Sequence, residues 1–281
     1  MTGEWREMAV EGQGGAPLAL RLHAPHKADK AAPLVLYLGG GAFLDKGLPV
    51  EAGPAVRALG ASGAIVLEAD YATASENEFP QALETAFAAL QQLSVKRKQF
   101  GGGVKAPLFV AGAEAGGNVA AGVALKARDQ MPGGLTGQIL LSPMIDPRMT
   151  THSIRRANEI GMLDRWSDGW RNYLRQTLCG TQHPYAAPCL CSRLMGVAPA
   201  LVLTSEDDPL KDEVLGYADR LAQGGTLVRR TILPESLGWT GIYRGKTGAW
   251  VEALKAAFTH FVEELRPGAL PGLRAGAVVP T

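Results

Sequence analysis

Short apolar runs recur along the chain: "LALRLH" (18–23), "LVLYL" (34–38), "AIVLEAD" (64–70), "LFVAG" (108–112), "QILLS" (138–142), "ALVLT" (200–204) and "VRRTIL" (228–233). Several are nearly continuous in apolar residues rather than alternating, as strands buried on both faces of a parallel sheet require. Between them, apolar positions recur at helical spacing over about 51–60, 79–95, 116–128, 210–223 and 248–265. The alternation predicts a doubly wound α/β sheet with helices on both faces. Residues 147–190 interrupt the rhythm, with no good strand but with "LDRWSDGWRNYLRQTL", in which Trp166, Trp170 and Tyr173 share a helical spacing. An insertion of this size between strands is expected over the carboxyl edge of the sheet, where ligands bind. An aromatic stripe of this kind predicts packing before it predicts a pocket. The tail 266–281, rich in Pro, Gly and Ala, predicts an extended or loose segment.

Composition narrows this picture. A chain of 281 residues, 46% hydrophobic, can build one sizeable core, so residues 1–265 are expected to form a single domain. A net charge of +1 gives no bulk field toward nucleic acid or a membrane surface. No apolar run reaches transmembrane length and "MTGEWREMAVEG" lacks a signal-peptide layout, so a cytoplasmic protein is the expectation. "GAEAGG" lacks the spacing of a dinucleotide fingerprint and "GGGVKAP" lacks the Gly-Lys-Ser/Thr of a phosphate loop, so no cofactor is expected. Cys179, His183, Cys189 and Cys191 form a conceivable zinc set, but the Cys-x-Cys spacing is cramped; free thiols and no metal are the expectation.

The chemistry gathers around "PLFVAGAEAGGNVAAGVAL" (107–125), an apolar strand, a turn of small residues and a helix, with Glu114 at the tip of the turn. In order along the chain, "LYLGGGAF" (36–43), "ADYATASENEFPQALETAFAAL" (69–90), "AGAEAGGN" (111–118), "LLSPMIDP" (140–147), "HPYAAPCLC" (183–191) and "SEDDPLKDE" (205–213) resemble segments of the hormone-sensitive-lipase group of α/β-hydrolase carboxylesterases. The resemblance spans roughly residues 15–265. It implies a mostly parallel eight-stranded sheet with helices on both faces, a reduced helical cap over about 147–190, and dimerisation through the last strand and helix, about 228–265. Strand-like sequence begins by about residue 18, so the N-terminal half of the group's cap is expected to be short or missing.

The group's mechanism needs a Ser nucleophile, a His base and an Asp to orient it. By the resemblance those positions fall on Glu114, Thr240 and Asp208, and the His that precedes the group's glycines falls on Leu38. No histidine lies between His183 and His260, so a shift of register does not restore the base. The oxyanion donors implied are the N–H groups of Gly40, Gly41 and Ala115, with Trp239 and Leu38 as candidate ligand contacts.

Glu114 then has three readings: an ordinary glutamate favoured by a helix start, a plug whose carboxylate accepts the oxyanion donors itself, or a carboxylate nucleophile. Asp208 is either an orienter without a histidine or a turn residue capping the next helix. Together the two form a candidate acid–base or cation-holding pair. The leading expectation is an esterase-like homologue that has lost serine-hydrolase chemistry and serves small-ligand binding or regulation. The alternative is a hydrolase or lyase-like enzyme using Glu114 as nucleophile or base with the retained oxyanion hole. A third is an inert partner subunit.

Overall fold

The computed structural model describes residues 5–12, 17–25, 29–71, 78–175 and 183–266. Eight strands form one sheet: β1 (Trp5–Glu11), β2 (Pro17–His23), β3 (Leu34–Leu38), β4 (Ile65–Ala69), β5 (Leu108–Ala113), β6 (Gly137–Leu141), β7 (Ala200–Ser205) and β8 (Val228–Leu233). Their spatial order is β1-β2-β4-β3-β5-β6-β7-β8. β2 runs antiparallel to both neighbours, and every later pairing is parallel. Seven of the eight strands stand where the apolar runs predict them. The eighth, β1, begins at Trp5, well before residue 18. Its sequence, WREMAVE, is mostly exposed and sets only the three-residue run Met8–Val10 between charged residues, too short to read as a strand; pairing along the whole of β2 defines it.

Among the described residues there are six α-helices: α1 (Pro54–Ala61), α2 (Gln81–Val95), α3 (Glu114–Gln130), α5 (Lys211–Gln223) and α6 (Trp250–Glu264) flank the sheet, and α4 (Leu163–Tyr173) lies over its edge. The strand period of two divides the core. Leu34, Leu36 and Leu38 of β3 face one apolar layer with α2, α3 and α5. Val35 and Tyr37 face the other, with α1 and α6. Outer strand β8 carries charge on both faces, Arg229 bonding Glu264 of α6 and Arg230 pairing with Asp219 of α5, and charged edge strands discourage edge pairing. Among the described residues no helix is long and apolar enough to cross a membrane.

This topology places the site. β3 lies between β4 and β5, so the chain leaves β3 toward one side and returns on the other. The loops after β3 and β5 therefore meet at a switch point on the carboxyl edge, where open α/β sheets form their ligand crevices. Over that edge lie the described parts of the 147–190 insertion, 147–175 and 183–190, which hold short 3-10 turns at Ser153–Asn158 and Pro188–Leu190 and α4. Cys179 and the tail from 267 lie outside the described residues. Cys189 and Cys191 are free thiols.

Candidate functional site

The turn from β5 into α3 keeps the shape of a strand–elbow–helix. Glu114 sits at its tip with φ +54°, a left-handed conformation that a side chain adopts only under constraint. Glycine supplies that constraint. A Cβ on Gly116 would lie 2.2 Å from the carbonyl oxygens of Leu38 and Gly39, and one on Gly112 would lie 2.2 Å from the carbonyl of Gly116. The elbow thus packs backbone against backbone beside the end of β3.

Glu114 is 2% exposed, and both carboxylate oxygens are committed. Oε2 accepts from the N–H of Gly41 at 2.5 Å and of Ala42 at 3.0 Å. Oε1 accepts from the indole Nε1–H of Trp166 in α4 at 2.5 Å. Burial pushes this carboxyl above its usual range, against the hydrogen bonds from Trp166, Gly41 and Ala42. The plug geometry is present with a shifted donor set: Gly41 is shared with the expectation, Ala42 and Trp166 replace Gly40 and Ala115. The shift follows from the backbone after β3. Gly41, Ala42 and Phe43 take successive positive φ values of 115°, 53° and 57°. This run brings the Gly41 and Ala42 amides together as an anion nest.

Helix α4 clamps the same loop from above. Gly169 packs so closely that a Cβ there would lie 1.8 Å from the carbonyl oxygen of Ala42. Asn172 donates to the carbonyl of Phe43 at 3.1 Å, and Arg165 pairs with Asp45 at 2.6 Å. The Phe43 ring stacks on Tyr173 with centroids 4.1 Å apart and tilts against Trp170 at 5.1 Å. The aromatic stripe of α4 is packing, as its spacing predicts, and Trp166 adds a hydrogen bond to that role.

Asp208, after β7, is 1% exposed and is an acceptor hub. Its Oδ1 accepts from the Leu210 N–H at 2.8 Å and from the Tyr243 hydroxyl at 2.6 Å. Its Oδ2 accepts from Trp239 Nε1–H at 2.8 Å, from Thr204 Oγ1 at 3.1 Å and from the Ser142 hydroxyl. The bond to Leu210 is the local turn bond expected of an Asp before proline. Burial raises the Asp208 carboxyl despite these donors. Thr240, the position matched to the triad base, makes none of these bonds. Tyr243 and Trp239 do. The Tyr243 ring also stands edge-on to Trp166, with centroids 5.2 Å apart, so an aromatic bridge separates Asp208 from the partner of Glu114. No histidine hydrogen-bonds either carboxylate among the described residues; His183 lies against Phe79 and Tyr185 instead.

A cavity of about 450 Å³ opens beside the elbow, its wall including Glu114, Gly39–Gly41, Tyr37, Glu68, Tyr71 and Tyr243. Two expected ligand contacts are corrected. Leu38 is fully buried in the β3 core, and Trp239 is fully buried against Trp250, its N–H spent on Asp208 and Ser142. Tyr243 and Ser142, by contrast, were missed by sequence reasoning.

Near this hub, Glu213 in the first turn of α5 has one oxygen on the Ile145 N–H at 2.8 Å and the other without a partner. Burial raises its carboxyl to about 8. The folded chain then holds a proton that the unfolded chain has released, so stability declines as pH rises from the ordinary glutamate range through about 8. Glu213→Gln keeps the acceptor for Ile145 and removes the titration. Between about pH 5 and about pH 9 the urea midpoint is expected to fall further for the native chain than for the variant, which keeps the raised Glu114 and Asp208 carboxyls, the difference accruing at up to about 1.4 kcal/mol per pH unit.

A family model described as alpha/beta hydrolase fold matches residues 35–236. Esterase LipI of Mycobacterium tuberculosis is 29% identical over 264 residues, which cover 89% of this chain and 80% of LipI. A crystal structure of a mutant of the esterase rPPE superposes with a TM-score of 0.82 at 28% identity, covering 95% of this chain and 84% of that one. A gibberellin receptor of Oryza sativa subsp. japonica is 29% identical over 208 residues, covering 70% of this chain and 58% of the receptor.

Proposed function

Because the chain belongs to the α/β-hydrolase fold family, in its hormone-sensitive-lipase-like esterase group, we propose that it is an esterase-like homologue without serine-hydrolase chemistry that binds a small ligand in the cavity beside its elbow. The observation that carries this reading is the commitment of both Glu114 oxygens to Gly41, Ala42 and Trp166. A nucleophile must present a lone pair to substrate, and an oxyanion hole must present free donors. Here the carboxylate occupies Gly41, one of the three implied oxyanion donors, and its own lone pairs are taken by Gly41, Ala42 and Trp166. The same observation disfavours Glu114 as nucleophile or base. A second step through water would also need a base, and Asp208 is enclosed by Ser142, Thr204, Leu210, Trp239 and Tyr243. The relation to a gibberellin receptor, which shares 29% identity, supports a binding role on this scaffold.

The test is turnover of p-nitrophenyl acetate and butyrate, with intact-mass analysis of the chain after exposure to each. The expected result is no hydrolysis above the buffer rate and no mass adduct. Ester turnover that disappears in Glu114→Ala, or an acyl adduct on Glu114, overturns the proposal.

A further inference from the structure

The elbow accounts for one wall of the cavity; the strands β3 and β4 build another. Tyr37 and Glu68 are register partners there, and both line the cavity. Glu68 is 2% exposed. Its Oε2 faces His23 Nε2 at 3.4 Å and Arg21 at 3.6 Å. Its Oε1 takes no hydrogen bond among the described residues. The Tyr37 hydroxyl is likewise unpartnered, on a residue 6% exposed. Two polar atoms without protein partners, held side by side on the wall of a cavity, are groups that a ligand can satisfy.

The surroundings define which ligand. Tyr71 and Tyr243 add their rings to the wall, each fixed by its own hydroxyl: Tyr71 donates to the Gly39 carbonyl at 2.8 Å, Tyr243 to Asp208 at 2.6 Å. Fixed aromatic faces beside a carboxylate favour a cation. The cationic side chains of the lining, Lys46 and Arg244, are solvent-exposed, whereas Tyr37 and Glu68 are buried. After burial, the causes that raise the Tyr37 hydroxyl are the charges of Glu68 and Glu114.

We propose that the cavity binds a small organic cation, a primary ammonium whose N–H groups donate to Glu68 Oε1 and to the Tyr37 hydroxyl oxygen while its hydrocarbon part packs on the tyrosine rings. This rests on the ligand-binding reading given above and names the chemical class of the ligand.

The experiment is calorimetric titration of the full chain with phenethylamine, 2-phenylethanol and phenylacetate, which share a ring and differ in the charge of the head group. Phenethylamine is expected to bind, with the alcohol and the carboxylate at least about tenfold weaker. Tyr37→Phe removes a hydroxyl that bonds nothing among the described residues, so it tests the site without threatening the fold; it is expected to weaken the amine several-fold, and Glu68→Gln about tenfold or more. Equal binding of the alcohol, unchanged amine affinity in both variants, or no amine binding at about 10 mM overturns the proposal. The outcome is separable from that of the ester assay: turnover through Glu114 sinks the loss of chemistry and leaves amine binding readable, while absence of amine binding sinks the ligand class alone.

Discussion

Asp208→Ala is expected to cost about 3–5 kcal/mol of stability and to lower the melting temperature by about 10 °C, given about 2–4 °C per kcal/mol for a domain of this size. The donors around it decide the sum. The Leu210 N–H is fixed in the backbone and has Asp208 Oδ1 as its acceptor at 2.8 Å, so truncation strands it. Trp239 Nε1–H keeps Ser142 Oγ at 2.8 Å and is spared in part. The hydroxyls of Ser142, Thr204 and Tyr243 can rotate, but they lose a charged acceptor in a buried place. The missing carboxylate also leaves a void between β7 and the 239–244 turn. Asp208→Asn keeps the volume and the Oδ1 acceptor, and is expected to recover at least about half of the loss, because serine and threonine hydroxyls can turn to accept from the new amide. A residue whose role is to orient a catalytic base shows the opposite profile, with activity lost and stability kept. An alanine variant melting within about 2 °C of the native chain refutes the hub assignment. Paired melting curves of the native chain, Asp208→Ala and Asp208→Asn read all three outcomes.

The fold was legible because buried parallel strands announce themselves as apolar runs. "LVLYL" and "LFVAG" sit fully buried at the sheet centre. β1 was not legible, because an outer strand with six of seven residues at least partly exposed has no hydrophobic signature; its partner defines it. The position of Glu114 was legible for a different reason: the glycines at 112, 116 and 117 are demanded by backbone contact, and a demand of that kind survives a change of the residue at the tip. The two amide donors after β3 were legible only to within one residue, and the third donor, Trp166 of the cap, was not legible as one. Which amide faces the carboxylate depends on the positive φ values of Ala42 and Phe43, residues whose type gives no hint of that conformation. Tyr243 was hidden further still. It reaches Asp208 because a left-handed Gly238 turns the chain into a short 3-10 segment, and that path is set in three dimensions rather than by spacing.

Glu114→Ala is expected to cost about 3–4 kcal/mol, with its effect concentrated in the cap. Three donors lose their acceptor at once: the N–H groups of Gly41 and Ala42 and the indole of Trp166. Two of them are backbone and cannot turn away, at about 1–3 kcal/mol for each donor left dry. Water entering from the adjacent cavity recovers part of this at Gly41, which keeps the total below the sum of three. Backbone strain is unchanged by alanine, since φ stays at +54°, so Glu114→Gly is expected to be about 1 kcal/mol more stable than Glu114→Ala while losing the same hydrogen bonds. The comparison separates conformational cost from acceptor loss. Trp166→Phe removes the N–H together with part of the buried ring and keeps an aromatic ring beside Tyr243, and the packing loss common to both backgrounds cancels in the cycle. In a double-mutant cycle with Glu114→Ala the coupling is expected to be about 1.5–3 kcal/mol, the range of a hydrogen bond to a charged group. Hydrogen exchange gives the spatial reading: amides of α4 (163–173) are expected to lose protection while those of β5 and β6 keep theirs, because the carboxylate ties the cap helix to the loop after β3 rather than holding the sheet. Coupling near zero, or uniform loss of protection across sheet and cap, contradicts the assignment of Glu114 as the lock between elbow and cap. Coupling in the expected range makes the glutamate at the elbow a structural substitution. The Gly41 amide, one of the implied oxyanion donors, holds an internal carboxylate instead, and under the proposal above the ligand is left to the Tyr37–Glu68 wall of the cavity.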